Sequence, residues 1–411
     1  MIRDCRLPKQ SDDTVKIVRS VHVAVGYYPA RFPYRIALGF MGWLGGASRV
    51  LDPFVGSGVA CTAARLWGHE CVGFDINPFA RLLARVSSST LSSRDEEALA
   101  RALRGLESYR GPGWRPRWGN VEYWHPPVVL EALERLWGYI HSLGDDRELY
   151  VCILKVALAR VSRLFSYADP EIPKLYRGRG LEKLEALLHG RPPSAIEDLI
   201  VGRLRERVSR IVRALREYTR LRPRGPAPRL DELDLAREPL PQGLAGVDAV
   251  FTSPPYLAAH EYTRSTKLEL YWLGYSDKEV RALRNKEIPY GPVEPYRVES
   301  PTFERLEEDI ASRAPRLLAL YRRYFWALAR AFDEIARLGP PIIALFVGPA
   351  TIASIPVPIH AILAEHLSTR GYTPLCRSVS AIRARKLFRR RNNSNPNGIQ
   401  EETLIILSRK P

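Results

Sequence analysis

The sequence predicts an α/β chain whose doubly wound sheet is interrupted by an inserted helical subdomain. Three observations carry that expectation. "ASRVLDPFVGSGVACTAARLWGHECVGFDINPFA" reads as strand, glycine loop, helix and strand, the opening of a doubly wound sheet. Residues 91–225 carry long helical patterns with scarce strand signals. Strand chemistry then returns and continues to the end of the chain. The expected divisions are therefore 1–90 and 226–411 as two parts of one catalytic domain, with 91–225 inserted between them.

Taken in order, Tyr27 to Pro33 reads as a loop and Ile36 to Leu44 as a short helix. Val50-Leu51 is a short buried strand, and Gly56 and Gly58 form the loop after it. Val59 to Leu66 has helical character, with Gly68 as its C-cap. Cys71 to Phe74 is a second strand ending at Asp75. "PPVVLEALERLWGYIHSL", "ELYVCILKVALARVSRLF" and "AIEDLIVGRLRERVSRIVRALREYTRL" are helices of the insert, which closes at the linker "RPRGPAPR". Strands are expected at Leu230 to Leu235 and in "VDAVFTSPPY", and a helix at Leu268 to Tyr275. "PYGPVEPYRVESP" is a proline-rich loop. Ser300 and Pro301 start a helix running to about Leu338, with a break near Pro315. "PPIIALFVGPA" is a buried strand, "SIPVPIHAILAEHLSTRGY" a helix stopped by Gly371, and "PLCRSVSAIR" and "EETLIILSRK" the last two strands.

Composition narrows the classes. The 411 residues, 45% of them hydrophobic, suffice for two or three structural units and a sizeable core. No run of about 18 apolar residues offers a membrane span. The charged start "MIRDCRLPKQSDD" is unlike a signal peptide, so a cytoplasmic protein is expected. Cys5, Cys61, Cys71, Cys152 and Cys376 are scattered, without a zinc-like spacing, and are expected as buried or free thiols with no metal. A net charge of +17 favours a polyanionic partner such as nucleic acid. A basic, heat-adapted surface is the other source of such a charge.

The glycine loop invites a nucleotide-like ligand. Glycine lets backbone approach a ligand closely, and the following helix presents unpaired N–H groups. Asp75 at the next strand end can accept both ribose hydroxyls. Dinucleotides and S-adenosylmethionine both use this geometry. The dinucleotide pattern wants a third glycine where Cys61 stands. Asp52 before the loop suits a cationic ligand end, such as the amino group of a methionine.

At this point the chain resembles a known family. "LDPFVGSG" resembles the cofactor motif of S-adenosylmethionine-dependent amino-methyltransferases of nucleic acid, and "FTSPPY" their catalytic motif: Asp, Asn or Ser, then Pro-Pro, then an aromatic ring. "YYPARFPYRIA", "HEYTRSTKLELYWLG" and "NGIQEETLIIL" are similar to further stretches of that group. The resemblance covers roughly 20–80 and 230–411 and covers the insert poorly. It departs at Val59, where a small polar residue is frequent, and at Leu233, where a glycine often precedes the acidic residue. It implies a Rossmann-like mixed sheet and S-adenosylmethionine as cofactor. Phe54, Gly56 and Gly58 would contact that cofactor, with Asp52 near its methionine end. Asp75 would hold the ribose, Asp234 the adenine amine, and Pro29, Ala30, Arg31 and Phe32 would close over the methionine side.

For the catalytic turn, the resemblance implies Ser253, Pro254, Pro255 and Tyr256. The acceptor amine of a base is a poor nucleophile because its lone pair is delocalised into the ring. The Ser253 hydroxyl and the Pro254 carbonyl would accept its N–H groups, with both prolines holding that carbonyl still. Tyr256 would stack on a flipped-out base. Serine in the first position is the form typical of cytosine-N4 enzymes, so methylation of that amine in DNA is expected. Adenine N6 and RNA stay open, as does a non-catalytic nucleic-acid-binding protein. Ring-carbon methylation is disfavoured, since no Pro-Cys pair exists.

"RARKLFRRRNNSNPNGIQ" supplies Arg383, Arg385, Lys386, Arg389, Arg390 and Arg391 as candidates for phosphate contact. The aromatics of "PGWRPRWGNVEYWHPP" are expected mainly as core of the insert, and the insert itself as the target-reading module. Arg160 and Arg163, with Ser162 and Ser166, are weaker candidates on its helices.

Overall fold

Alternating apolar residues build the sheet in this computed structural model, which describes residues 2–29, 32–144, 147–172, 174–257, 261–381 and 401–410. The N-terminal part contains α1 (Asp12–Val25), α2 (Tyr34–Leu44), β1 (Arg49–Asp52), α3 (Val59–Trp67), β2 (Glu70–Phe74) and α4 (Pro78–Ser87). The insert contains α5 (Ser93–Ser108), α6 (Val121–Trp124), α7 (Pro127–Ser142), α8 (Leu149–Leu164), α9 (Gly180–Leu188) and α10 (Pro193–Arg220). The sheet resumes with β3 (Arg229–Asp231) and β4 (Ala249–Thr252), followed by α11 (Tyr262–Trp272), α12 (Asp277–Lys286), α13 (Pro301–Arg313) and α14 (Pro315–Leu338). The last elements are β5 (Ile342–Val347), β6 (Ala350–Ile352), β7 (Ile355–Val357), α15 (Ile359–Ser368), β8 (Tyr372–Ala381) and β9 (Glu401–Arg409).

Seven strands form one sheet in the order β3-β2-β1-β4-β5-β9-β8. β3, β2, β1, β4 and β5 are mutually parallel, and β9 runs antiparallel between β5 and β8. This is a Rossmann-like mixed sheet, parallel except for β9. Successive strand residues feed opposite faces. Val50, Cys71, Phe251 and Ala344 belong to one core, Leu51, Val72, Val250 and Ile343 to the other. The strand order reverses between β1 and β4, so the C-terminal ends of these strands open a crevice where ligands bind in such sheets.

The insert is helical and has no separate core. Leu133, Trp137, Leu154, Ile211 and Tyr218 are buried in the same cluster as Val50 and Phe251. α8 packs on α4 and α11, and α10 packs on α1. Arg160 and Arg163 of α8 both pair with Glu269 of α11, a carboxylate with no exposed surface. The Ser162 hydroxyl accepts from the Trp137 indole at 3.0 Å and donates to the Leu158 carbonyl. The two arginine pairs bolt the insert to α11, while the Ser162 bonds tie α7 to α8 within it. Trp118 stacks on Tyr271 with ring centroids 4.1 Å apart and is core, Trp114 packs half-buried against His141 and Trp272, and Tyr123 of the same stretch is exposed.

Several expectations are corrected. The strand at Leu230 to Leu235 shrinks to β3, because Leu233 to Ala236 leave the sheet edge to line the cleft described below. α11 starts at Tyr262, earlier than expected. α1 was not read from the sequence. The β6–β7 hairpin was missed because its loop, Ala353-Ser354, takes positive φ at both residues (46° and 67°) without the Gly, Asn or Asp that normally marks such a turn. Four cysteines are not thiols: Cys5 bonds Cys376 and Cys61 bonds Cys71, while Cys152 is buried and belongs to neither disulfide. Among the described residues no helix is long and apolar enough to cross a membrane.

Candidate active site

The two motif loops meet because β1 and β4 are adjacent parallel strands. Asp52, at the end of β1, accepts from the Thr252 hydroxyl of β4 at 2.7 Å and from the Phe54 amide at 3.2 Å. Its other oxygen, Oδ2, is buried with no partner. Burial pushes this carboxyl up to about 7. A buried carboxylate oxygen left unpaired is costly, and a cation brought beside it would relieve that cost.

Gly56 takes φ 51°, and a side chain there would press on the Tyr28 ring at 3.3 Å. Its amide donates to Asp75 Oδ2 at 2.9 Å, while the Asn77 amide donates to Oδ1 at 2.8 Å. Burial pushes the Asp75 carboxyl up to about 6, with these two N–H groups opposing the shift. Gly58 answers to packing: at φ 81°, an added Cβ would lie 2.7 Å from Ala84 Cα. That contact lets α3 and α4 approach, and Gly58 does not line the cleft.

A single cleft of about 870 Å³ joins the two halves. Phe54 and Gly56 come from the glycine loop, Asp75 from the end of β2, Leu233 and Asp234 from the loop after β3, and Ser253 and Pro255 from the Ser253–Tyr256 turn. Pro29 and Phe32 border it from the loop before α2. Asp234 is buried, and its carboxylate accepts from Arg237 at 2.5 Å. Arg237 also reaches the carbonyls of Asn285, Lys286 and Pro292, tying two walls of the cleft together. Leu233, standing where the family often has glycine, is buried in the lining.

The Ser253–Tyr256 turn is held from behind. The Tyr324 hydroxyl donates to the Pro255 carbonyl at 2.9 Å, and the Tyr256 amide donates to the Tyr262 hydroxyl at 3.4 Å. Pro254 is buried and does not line the cleft. Tyr256 is buried too, and its hydroxyl donates to Glu402 of β9. Burial, with Glu402 nearby, raises that phenol well above its ordinary value. Ala30, Arg31, Arg383, Arg385, Lys386, Arg389, Arg390 and Arg391 lie outside the described residues.

Sequence reasoning missed Tyr28, Asn77, Tyr262 and Glu287, all of which line the cleft. Glu287 accepts the Tyr262 and Thr263 amides, capping the start of α11 from a distant point in the chain. Burial pushes its carboxyl up to about 7. Tyr28 was legible, since it adjoins Pro29 in a stretch already singled out. Glu287 carried no local signal.

The donor set fits S-adenosylmethionine. Asp52 offers an uncompensated carboxylate oxygen for an ammonium, Asp75 an acceptor for hydroxyls, and Phe54, Ile76 and Leu233 apolar walls for a purine. Among the described residues no group of His, Cys, Asp or Glu is placed to hold a metal.

Fold and cleft define a Rossmann-like α/β protein with a ligand crevice at the switch point of its sheet. No protein-family model matches the chain. It is similar to the type II methyltransferase M.BsoBI of Geobacillus stearothermophilus, 25% identical over 260 residues, 58% of this chain and 50% of that protein. It is also similar to the type II methyltransferase M.MvaI of Kocuria varians, 22% identical over 347 residues, 77% of this chain and 73% of that protein. The chain thus spans about half the length of the first relative. The structure of an rRNA methyltransferase, aviRa from Streptomyces viridochromogenes, aligns over 97% of this chain and 94% of its own, with TM-score 0.34 and 14% identity. Both relatives carry the name type II methyltransferase.

Proposed function

We propose that the chain transfers a methyl group from S-adenosylmethionine to the exocyclic N4 amine of cytosine in DNA. One observation carries the reading: the glycine loop with Asp75 and the Ser253-Pro255 turn line the same cleft. The similarity to two type II methyltransferases supports DNA as the polymer.

When bound, the cofactor supplies an electrophilic methyl group on a sulfonium. The chain's residues bind, orient and accept. Asp52 and Asp75 would hold the two polar ends of the cofactor, while Gly56 keeps side-chain bulk away from it. Ser253 and the Pro254 carbonyl would accept the two N–H groups of the base amine, freeing its lone pair. Tyr324 occupies the Pro255 carbonyl and not that of Pro254, so it steadies the turn without using the proposed acceptor. Catalysis of this kind rests on positioning, which can supply about 7–11 kcal/mol of a barrier. Serine at 253 is what favours cytosine over adenine.

The test is incubation of the full chain with isotopically labelled methyl donor and either DNA or RNA, followed by nucleoside mass spectrometry. Label in N4-methylcytosine from DNA is the expected result. Label in N6-methyladenine, or only in RNA, overturns the stated substrate, and no label in either polymer overturns the activity.

A further inference from the structure

A second hollow, of about 1970 Å³, opens between α8, α9 and α10, on the sheet face opposite α14. It adjoins the active-site cleft. Tyr27 lines the hollow while Tyr28 lines the cleft, and Ser265 lines the hollow one helical turn from Tyr262 in the cleft. Its lining carries six cations, Arg160, Arg163, Lys183, Arg203, Arg207 and Arg210, against three carboxylates, Asp169, Glu171 and Glu206.

Those carboxylates are already engaged. Asp169 accepts the backbone amides of Glu171, Ile172 and Arg179. Glu171 pairs with Arg179. Glu206 is shared by Arg203 and Arg210, and Glu269 behind the wall is shared by Arg160 and Arg163. The trio of Glu206, Arg203 and Arg210 has one positive charge in excess. Arg207 sits among them with its Nε buried and without a hydrogen-bond partner. Burial, with Arg210 nearby, lowers its pKa, the mark of a cation whose surroundings compensate it incompletely. A guanidinium fork of this kind is matched by the oxygens of a phosphate.

We propose that this hollow seats the phosphodiester backbone of the nucleic acid whose base enters the cleft. The inference rests on the methyltransferase reading and deepens it, by assigning the strand path to the α8–α10 face of the insert. Backbone contacts position a nucleic acid and base contacts specify it. The hollow is therefore a register and affinity site, and its occupancy depends strongly on salt.

The test compares the full chain with a triple variant, Lys183→Gln, Arg203→Gln and Arg210→Gln, all exposed side chains outside the cleft. A control variant, Arg316→Gln with Arg337→Gln, removes exposed cations from α14. Affinity for a labelled duplex is measured by fluorescence anisotropy across a salt series, and S-adenosylmethionine affinity by calorimetry. The triple variant is expected to bind duplex at least about tenfold more weakly, with a log–log salt slope shallower by about three. The control variant and the cofactor affinity of both stay near the parent. A triple variant with parental duplex affinity and slope overturns the groove while leaving the methyltransferase reading intact. A parent that binds cofactor and no nucleic acid overturns both. Inorganic phosphate titrated alone separates the sources: saturable binding lost in the triple variant, with duplex affinity unchanged, makes the hollow a free-anion site and overturns the proposal.

Discussion

Tyr324, fully buried in α14, donates its hydroxyl to the carbonyl of Pro255 at 2.9 Å. The second proline of the Ser253–Tyr256 turn is thereby fixed from the core. Tyr324→Phe keeps the ring packing and leaves that carbonyl without its donor. Losing such a bond costs about 1–1.5 kcal/mol, so kcat is expected to fall about tenfold. Cofactor affinity should stay within about twofold, because the contact lies on the catalytic side. A parallel loss of cofactor binding would show that Tyr324 supports the whole cleft.

Asp52 predicts a pH dependence. Its carboxyl is raised to about 7 in the folded chain, against an ordinary value near 4. The folded state therefore holds this proton more tightly than the unfolded chain. The resulting stability is fully present below about pH 4 and is lost as pH rises through about 7. Asp52→Asn removes that loss. At pH 8 the cofactor-free variant should be more stable than the parent by on the order of 1–2 kcal/mol, once the cost of a buried amide is subtracted. The same variant should bind S-adenosylmethionine at least about tenfold more weakly, and the parent's affinity should rise with pH between about 6 and 8. Thermal melts and calorimetry at pH 5 and pH 8 check the sign. A variant that melts lower than the parent at both pH values would sink the idea.

The site was legible where its chemistry is local. Gly56 and Gly58 occupy backbone that only glycine adopts easily, at φ 51° and 81°, and Ser253 to Tyr256 is contiguous, so both announced themselves as short strings. Relationships closed by the fold were not legible. Glu287 caps amides 24 and 25 residues away, and Tyr256 meets Glu402 across 146 residues. Gly58 is expected as a cofactor contact, yet it does not line the cleft and the demand for glycine there comes from Ala84 on α4. The sequence offers Arg160 and Arg163, with Ser162 and Ser166, as weaker target-recognition candidates on the helices of the insert. The acid that claims the two arginines, Glu269, lies more than 100 residues on, within a helix that itself read as ordinary.

The disulfide between Cys5 and Cys376 closes a loop of sequence separation 371, joining the N-terminal segment to β8. A cross-link over so long a loop restricts the unfolded chain strongly. Cys5→Ser is expected to cost about 2–5 kcal/mol, read as a fall of about 3–6 °C in Tm under non-reducing conditions. The parent should lose a similar amount in reductant, and the variant less. Equal melting of parent and variant without reductant would show that this pair is not cross-linked in solution, which thiol titration under denaturing conditions checks directly.

Tyr256 separates the ring from the hydroxyl. Its phenol is engaged by Glu402, whose own carboxyl is raised by burial. If the ring's task is to stack on a base, the hydroxyl serves only to park it. Base stacking is worth about 1–3 kcal/mol, so Tyr256→Ala should lose about tenfold to a hundredfold in methyl transfer at saturating cofactor. Tyr256→Phe should retain activity within about threefold of the parent, since it keeps the ring face. Glu402→Gln leaves the ring and weakens its tether, and should match Tyr256→Phe more closely than Tyr256→Ala. Single-turnover rates with a fixed duplex measure all three. A Tyr256→Phe variant as impaired as Tyr256→Ala would move the chemistry from the ring to the phenol, and would make the Tyr256–Glu402 pair a proton path in place of a stacking platform.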